Sequence, residues 1–278
     1  MTHYRPRPPS AARSRRGFAL IAVLWVITAL AALLGVALAT TRLGTLTTRN
    51  RVLLARDRWA AEACLAIAAA RWADHQLADT ATIELGRSTR CRWLVEDPAA
   101  KLNVNTADPE VLRALLTSLA PKRNSVDSFV AGVVERRRRD PLTDARALTG
   151  FPGFDTAWSH VLTVDGAGTI NLSAAPAAIL AVLPGMTPEA VERVLRRRTF
   201  GPKLTDLDAL AADLSPPARA RLLESYPDLA RQVATTPPQL LVFADGWVAG
   251  QVDDLRATIE LLVVPLEGRL AVIRRRSW

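Results

Sequence analysis

The first 56 residues contain no acidic side chain; Asp57 is the first, while Arg5, Arg7, Arg13, Arg15 and Arg16 crowd the start. Histidine is almost as scarce, with His3, His75 and His160 in unrelated contexts, and cysteine is limited to Cys64 and Cys91. Two cysteines exclude a four-thiolate zinc site. A nucleophile elbow, a phosphate loop and an HExxH helix are all missing, so no residue pattern supports catalysis. Lysine occurs only at Lys101, Lys122 and Lys203 among 36 basic residues, which reads as a composition bias rather than recognition chemistry. Asp253-Asp254 is the most concentrated acidic pair but forms no recognisable ligand loop, so no metal site is assigned.

What is present begins with RRGFALIAVLWV at positions 15–26. From Phe18 to Ala39, Thr28 is the only polar side chain. At about 1.5 Å per residue this segment covers the roughly 30 Å hydrocarbon core of a bilayer. Basic residues before an apolar span hold the N-terminus in the cytoplasm and place the remainder on the far side. Three readings compete. A signal peptide would be cut after Ala37-Leu38-Ala39, although the apolar run exceeds the usual length of about 7–15 residues. An uncut anchor satisfies the span rule alone. A short basic leader ending in glycine before Phe and an apolar helix resembles the type IV prepilin signal, with cleavage between Gly17 and Phe18 and retention of the helix.

The formal net charge of +9 invites a nucleic-acid reading. Removing residues 1–17 leaves 31 basic against 27 acidic residues, a balance of +4 and a weak footprint for a phosphate binder. In a reducing compartment Cys64 and Cys91 read most simply as buried thiols, whereas export permits a disulfide between them.

Beyond the span, residues 45–79 contain neither Pro nor Gly, and Val52, Ala55, Trp59, Ala63, Ala66 and Ala70 recur at helical spacing. A single helix from Phe18 to about Asp79 would be roughly 90 Å long; the alternative is two helices bent near Gly35 or Gly44. Residues 81–97 alternate around Gly86 and predict a hairpin or two short strands. Residues 256–266 and 269–278 predict two β-runs around Glu267-Gly268, with Pro265 ending the first or lying at an edge. Thr235-Thr236-Pro237-Pro238 marks a linker ahead of them.

Between the β regions, about 101–234, an internal repeat emerges. One unit (about 101–165) opens KLNVNTADPEVLRALL and the other (about 169–230) opens TINLSAAPAAILAVLPG. Each holds an Asn-containing turn, a short apolar helix, a second helix ending in arginine and an LTD segment opening a third. Asn105-Thr106 and Asn171-Leu172-Ser173 are expected to supply helix N-caps. The second unit resembles a helix-hairpin-helix, which approaches DNA phosphates through a Gly-x-Gly hairpin. Here the hairpin is Leu183-Pro184-Gly185-Met186-Thr187, and a Cβ at Thr187 would crowd a phosphate. The repeat therefore reads as a packing module. The arginine runs at 136–139 and 196–198 read as solvated helix ends complementing the negative helix dipole, with a docking patch for an acidic partner as the alternative.

Most pilin-like subunits carry Glu five residues after the cut; here that place is Ala22. A bilayer carboxylate is costly unless paired, and in pilins it pairs with the N-terminal amine of the subunit added just before. A subunit that starts the fibre has no such neighbour. With this substitution, the leader and the KLNVNTADPEVL segment, the chain resembles the K-type minor pseudopilins of type II secretion systems. The resemblance implies an α+β, pilin-like fold. Residues 1–17 would be the cleaved leader, 18–40 the transmembrane part of the helix, and 41–100 its periplasmic half plus the first strands. Residues 101–234 would be a helical insert of two helix-hairpin-helix or SAM-like repeats, and 235–278 the last strands. It further implies cleavage by prepilin peptidase with methylation of the new N-terminus, and an inner-membrane location with a periplasmic head. It implies I-type, J-type and major pseudopilin partners at a pseudopilus tip serving export of folded proteins. Calcium occurs in some heads of this family. No nucleic acid and no cofactor is expected. The rival is a membrane-anchored helix-hairpin-helix DNA-binding protein of competence type.

Overall fold

The computed structural model describes residues 14–119, 123–202, 204–250 and 256–278. Helix α1, Ser14–Ala73, runs without a break through Gly35 and Gly44, so the two-helix alternative does not hold. Its polar side chains turn back onto their own helix: Thr28 Oγ1 donates to Leu24 O at 2.8 Å and Thr41 Oγ1 to Ala37 O at 2.7 Å. Such bonds leave no hydroxyl unpaired where water is absent. The helix stops at Ala73 rather than near Asp79, because His75 adopts a left-handed backbone with φ 56°. The Gln76 amide then closes onto Arg71 O at 2.8 Å.

The chain divides into two units, residues 1–55 and 56–278. In the second, β1 (Thr80–Glu84) and β2 (Thr89–Glu96) form the expected hairpin. After a long insertion come β7 (Leu240–Val248), β8 (Ala257–Leu266) and β9 (Arg269–Ser277), and the antiparallel sheet has the order β1-β2-β7-β8-β9. Pro265 lies within β8 opposite Leu270, beyond the last β7 pair at Leu240–Val263, so no ladder bond is lost on the β7 side. The last turns of α1 lie on this sheet around Ala60, Ala61, Cys64, Cys91, Trp93, Ala244 and Ile259.

The insertion opens with β3 (Leu102–Asn103), α2 (Pro109–Leu119), α3 (Arg123–Arg139), two 3-10 turns and β4 (Leu162–Thr163). It continues with β5 (Ile170–Asn171), α4 (Ala177–Leu180), α5 (Pro188–Phe200), α6 (Leu207–Ala212), α7 (Pro216–Glu224), α8 (Tyr226–Gln232) and β6 (Val233–Ala234). Each repeat is closed by a two-residue parallel clasp between its start and its end, β3 on β4 and β5 on β6. One continuous apolar core serves both repeats. Within it, the Phe129 ring centroid lies 5.2 Å from Trp158 and 5.8 Å from Phe154.

Candidate functional site

The features that bear on function are the apolar stem, the face by which α1 carries the sheet, and the insert with its junction to the sheet. Within α1, residues 19–50 are exposed, including Leu20, Leu24, Trp25 and Leu34. Among the described residues this is the one helix long and apolar enough to cross a membrane. Ala22 lies on it and is exposed. The backbone is helical at Gly17 and Phe18, but their side chains and residues 1–13 fall outside the described residues, as do Asp253 and Asp254.

The face of α1 that meets the sheet differs from the expected stripe. Asp57, Ala60, Ala61, Cys64 and Ala68 are buried, whereas Val52, Trp59, Ala66 and Ala70 are exposed and Ala63 is half-buried. The buried row is built of small residues because β7 comes very close. A Cβ on Gly246 would lie 2.5 Å from the Ala61 amide nitrogen and 2.8 Å from Ala60 Cβ. The same close packing brings Cys64 and Cys91 into a disulfide in the structure, with Cα atoms 5.9 Å apart. It also buries Asp57 completely, and neither carboxylate oxygen reaches hydrogen-bonding geometry.

In the insert, the asparagine turns do not cap helices. Asp108 Oδ1 accepts from the Glu110 amide at the start of α2, and the N-cap of α4, Pro176, makes no side-chain cap bond. Asn103 and Asn171 instead turn the chain locally, each Oδ1 accepting at 2.9 Å from the amide two residues on, Asn105 and Ser173. Asn105 spans the repeat: its Nδ2 donates to Leu142 O and Val164 O, and its Oδ1 accepts from the Leu142 amide. The aspartates of the LTD segments do act as caps, Asp144 for a 3-10 turn and Asp206 for helix α6.

The arginine runs divide by position rather than reading as one solvated patch. Arg137 Nη1 donates to Val104 O and Ala107 O, and Arg198 Nε and Nη2 donate to Leu172 O, the equivalent place in the second repeat. Their neighbours are surface ion pairs, Arg136 with Asp140 and Arg196 with Glu192. Sequence spacing had the signal for this, since both arginines fall at matching places in the repeats.

The hairpin at 183–187 is packed away. Gly185 has φ 74°, and a Cβ there would lie 2.9 Å from Ser225 Cβ and 3.2 Å from Arg221 O. Thr187, where the motif has its second glycine, accepts from the Ala190 amide as the N-cap of α5. The face a phosphate would use is therefore occupied by α7 and its exit. Among the described residues no three His, Cys, Asp or Glu side chains converge.

The junction between insert and sheet is ionic. Arg274 on β9 contacts Asp165, between the repeats, at 2.5 Å and Glu260 on β8 at 2.9 Å, and Arg276 joins Glu260 at 3.0 Å. Asn103 Nδ2 donates to the backbone oxygens of Asp165 and Gly166. On the other side Asp97 accepts from Asn171 Nδ2 at 2.6 Å and caps the turn at Ala99.

No family model matches the chain, and no curated protein matches it. Among solved structures, it is similar to a chain of the GspK-GspI-GspJ complex of the type 2 secretion system of enterotoxigenic Escherichia coli. The TM-score is 0.52 at 13% identity, over 81% of this chain and 94% of that one. The likeness supports the α+β fold of this chain, in which a long apolar N-terminal helix is joined by a small antiparallel sheet and a helical insertion.

Proposed function

We propose that the chain is a K-type minor pseudopilin of a type II secretion system. The observation that carries this reading is the two-repeat helical insert between β2 and β7 of a sheet carried on an apolar N-terminal helix. The likeness to a chain of the GspK-GspI-GspJ complex supports it. In this role prepilin peptidase cuts between Gly17 and Phe18, the stem waits in the inner membrane, and the head faces the periplasm. I-type and J-type pseudopilins pair with it at the tip of a pseudopilus built from the major pseudopilin. The function is mechanical assembly, without catalysis.

The test of processing is Gly17→Val. The bulkier residue before the bond should leave the precursor at full mass and abolish secretion of the system's exported proteins. Normal processing and export in this variant would remove the reading, and a mature N-terminus at Thr40 would establish a signal peptide instead.

A further inference from the structure

Three arginines follow directly on the apolar stem: Arg42, Arg49 and Arg51, all on α1, all exposed and all within the first unit, residues 1–55. Helical arginines elsewhere in the chain find a carboxylate one turn away, as Arg136, Arg139 and Arg196 do with Asp140, Glu135 and Glu192. These three have none to find, because no Asp or Glu lies within four residues of any of them. The neighbouring hydroxyls are already committed: Thr41, Thr45, Thr47 and Thr48 each donate to a backbone oxygen of their own helix. The segment carries three positive charges and nothing of the opposite sign.

Its place along the helix gives those charges a target. Residues 18–39 make about 33 Å of helix, slightly more than the roughly 30 Å hydrocarbon core of a bilayer. Arg42 then lies about 4–5 Å past Ala39, inside a headgroup layer about 5–8 Å thick. Arg49 and Arg51 follow about 15 and 18 Å past Ala39, roughly one screening length of about 10 Å beyond that layer. Side chains on a helix lean toward its N-terminus, which here is back toward the bilayer. Leu43 and Leu46 are exposed beside Arg42 and extend the apolar surface past it, which favours seating the segment in the interface. Orientation does not account for the three charges, since cations on the translocated side oppose the positive-inside tendency. A second copy does not fit them either, because it brings the same arginines to the same level.

We propose that Arg42, Arg49 and Arg51 form a collar that binds the headgroups of anionic phospholipids on the side of the bilayer where the sheet and insert lie. Arg42 holds a lipid phosphate through paired guanidinium hydrogen bonds, and Arg49 and Arg51 draw further anionic lipid to it. The collar sets the depth of the stem and opposes its withdrawal from the membrane. The proposal rests on the pseudopilin reading only in that the stem spans a bilayer.

The experiment reconstitutes the full chain in phosphatidylcholine vesicles with a trace of spin-labelled phosphatidylglycerol or spin-labelled phosphatidylcholine. Electron paramagnetic resonance measures the label immobilised at the protein. Wild type should favour the phosphatidylglycerol label. Arg42→Gln should lower that preference about five-fold, the worth of one cation at an anionic surface, and adding Arg49→Gln and Arg51→Gln should lower it further. Salt at about 1 M, with a screening length of about 3 Å, should remove the same share from the wild type. A preference unchanged in the triple variant would overturn the proposal and leave the arginines to an acidic helix of another protein. Inorganic phosphate displacing the label more strongly than chloride at matched ionic strength would overturn the lipid source in favour of a free anion. Insertion is read separately, from quenching of Trp25 by lipids brominated in the acyl chains, with Trp25→Phe as the control. Quenching without a lipid preference defeats the collar alone; no quenching defeats the membrane-spanning stem and the collar with it.

Discussion

Asp57 sits on the buried row of α1 where its neighbours are alanines and a cysteine. Burial pushes its carboxyl above the usual carboxylate range, and the nearby Val248 amide and Arg56 charge offset only part of this. A group whose folded-state pKa is raised binds its proton more tightly when folded. Its contribution is therefore intact below the ordinary carboxylate range and is lost as pH rises through the elevated value. Asp57→Asn keeps the shape and removes the charge. It should stabilise the head by about 1–2 kcal/mol at neutral pH, with the gain vanishing toward pH 4. Thermal unfolding of both proteins across that range is the check; a variant less stable at pH 7 would mean the carboxylate has a partner worth more than its desolvation. Ala22, on the stem, is the opposite case. Ala22→Glu places a carboxylate in the apolar stem, which in a bilayer costs about 2.5–3.5 kcal/mol for a central acidic residue. For a subunit that starts a fibre, secretion should fall or stay level and never improve. Appearance of this variant along the fibre shaft, by immunogold labelling, would show that the alanine confines the protein to the tip; wild-type protein along the shaft would refute the tip assignment.

At the scale of elements, the contact of α1 with the sheet is fixed by Gly246 and by the Cys64–Cys91 bridge, which links α1 to β2 across 27 residues. Under oxidising conditions, Cys64→Ser should lower stability by about 2–4 kcal/mol, a loss that reduction of the wild type should match. Two free thiols in protein purified without reductant would refute the bridge. Much of the element order is visible in the sequence because period and punctuation agree: the hairpins around Gly86 and Glu267-Gly268, the uninterrupted helix and the doubled insert all carry local signals. Three features are not. The apolar stripe Val52–Trp59–Ala66–Ala70 lies on the exposed side of α1, since the sheet selects small residues and accepts even Asp57. Strand β7 escapes because Ala244-Asp245-Gly246 carries a turn signal, while its central place comes from pairing with β2 and β8. The matching places of Arg137 and Arg198 are visible, but their partners, like those of Asn105, are hidden because each acts on backbone carbonyls some 26 to 59 residues away in sequence.

For the whole molecule, the question is how an insert larger than the sheet that carries it is held in one orientation within the second unit. The contacts concentrate on a few charged groups. Asp165 and Glu260 have side chains only 6% and 8% exposed, and Arg274 touches both. Glu260 keeps a second partner in Arg276, but no other ion pair is made by Asp165 among the described residues. Cation–π contact of Arg146 with Trp278, at 4.7 Å, adds a weaker tie at the same end of β9. Removing one member of a buried pair costs more than removing both, because a lone charge stays without compensation. Arg274→Met should therefore destabilise the chain by about 3–5 kcal/mol. Adding Asp165→Asn should recover part of that loss, since it discharges the orphaned group while Arg276 still serves Glu260. Thermal or denaturant unfolding of the wild type and the two variants supplies the cycle. A double variant less stable than Arg274→Met alone would mean that Asp165 is held by its backbone contacts with Asn103 rather than by the ion pair. The arginine at the end of the sheet would then not be what orients the insert.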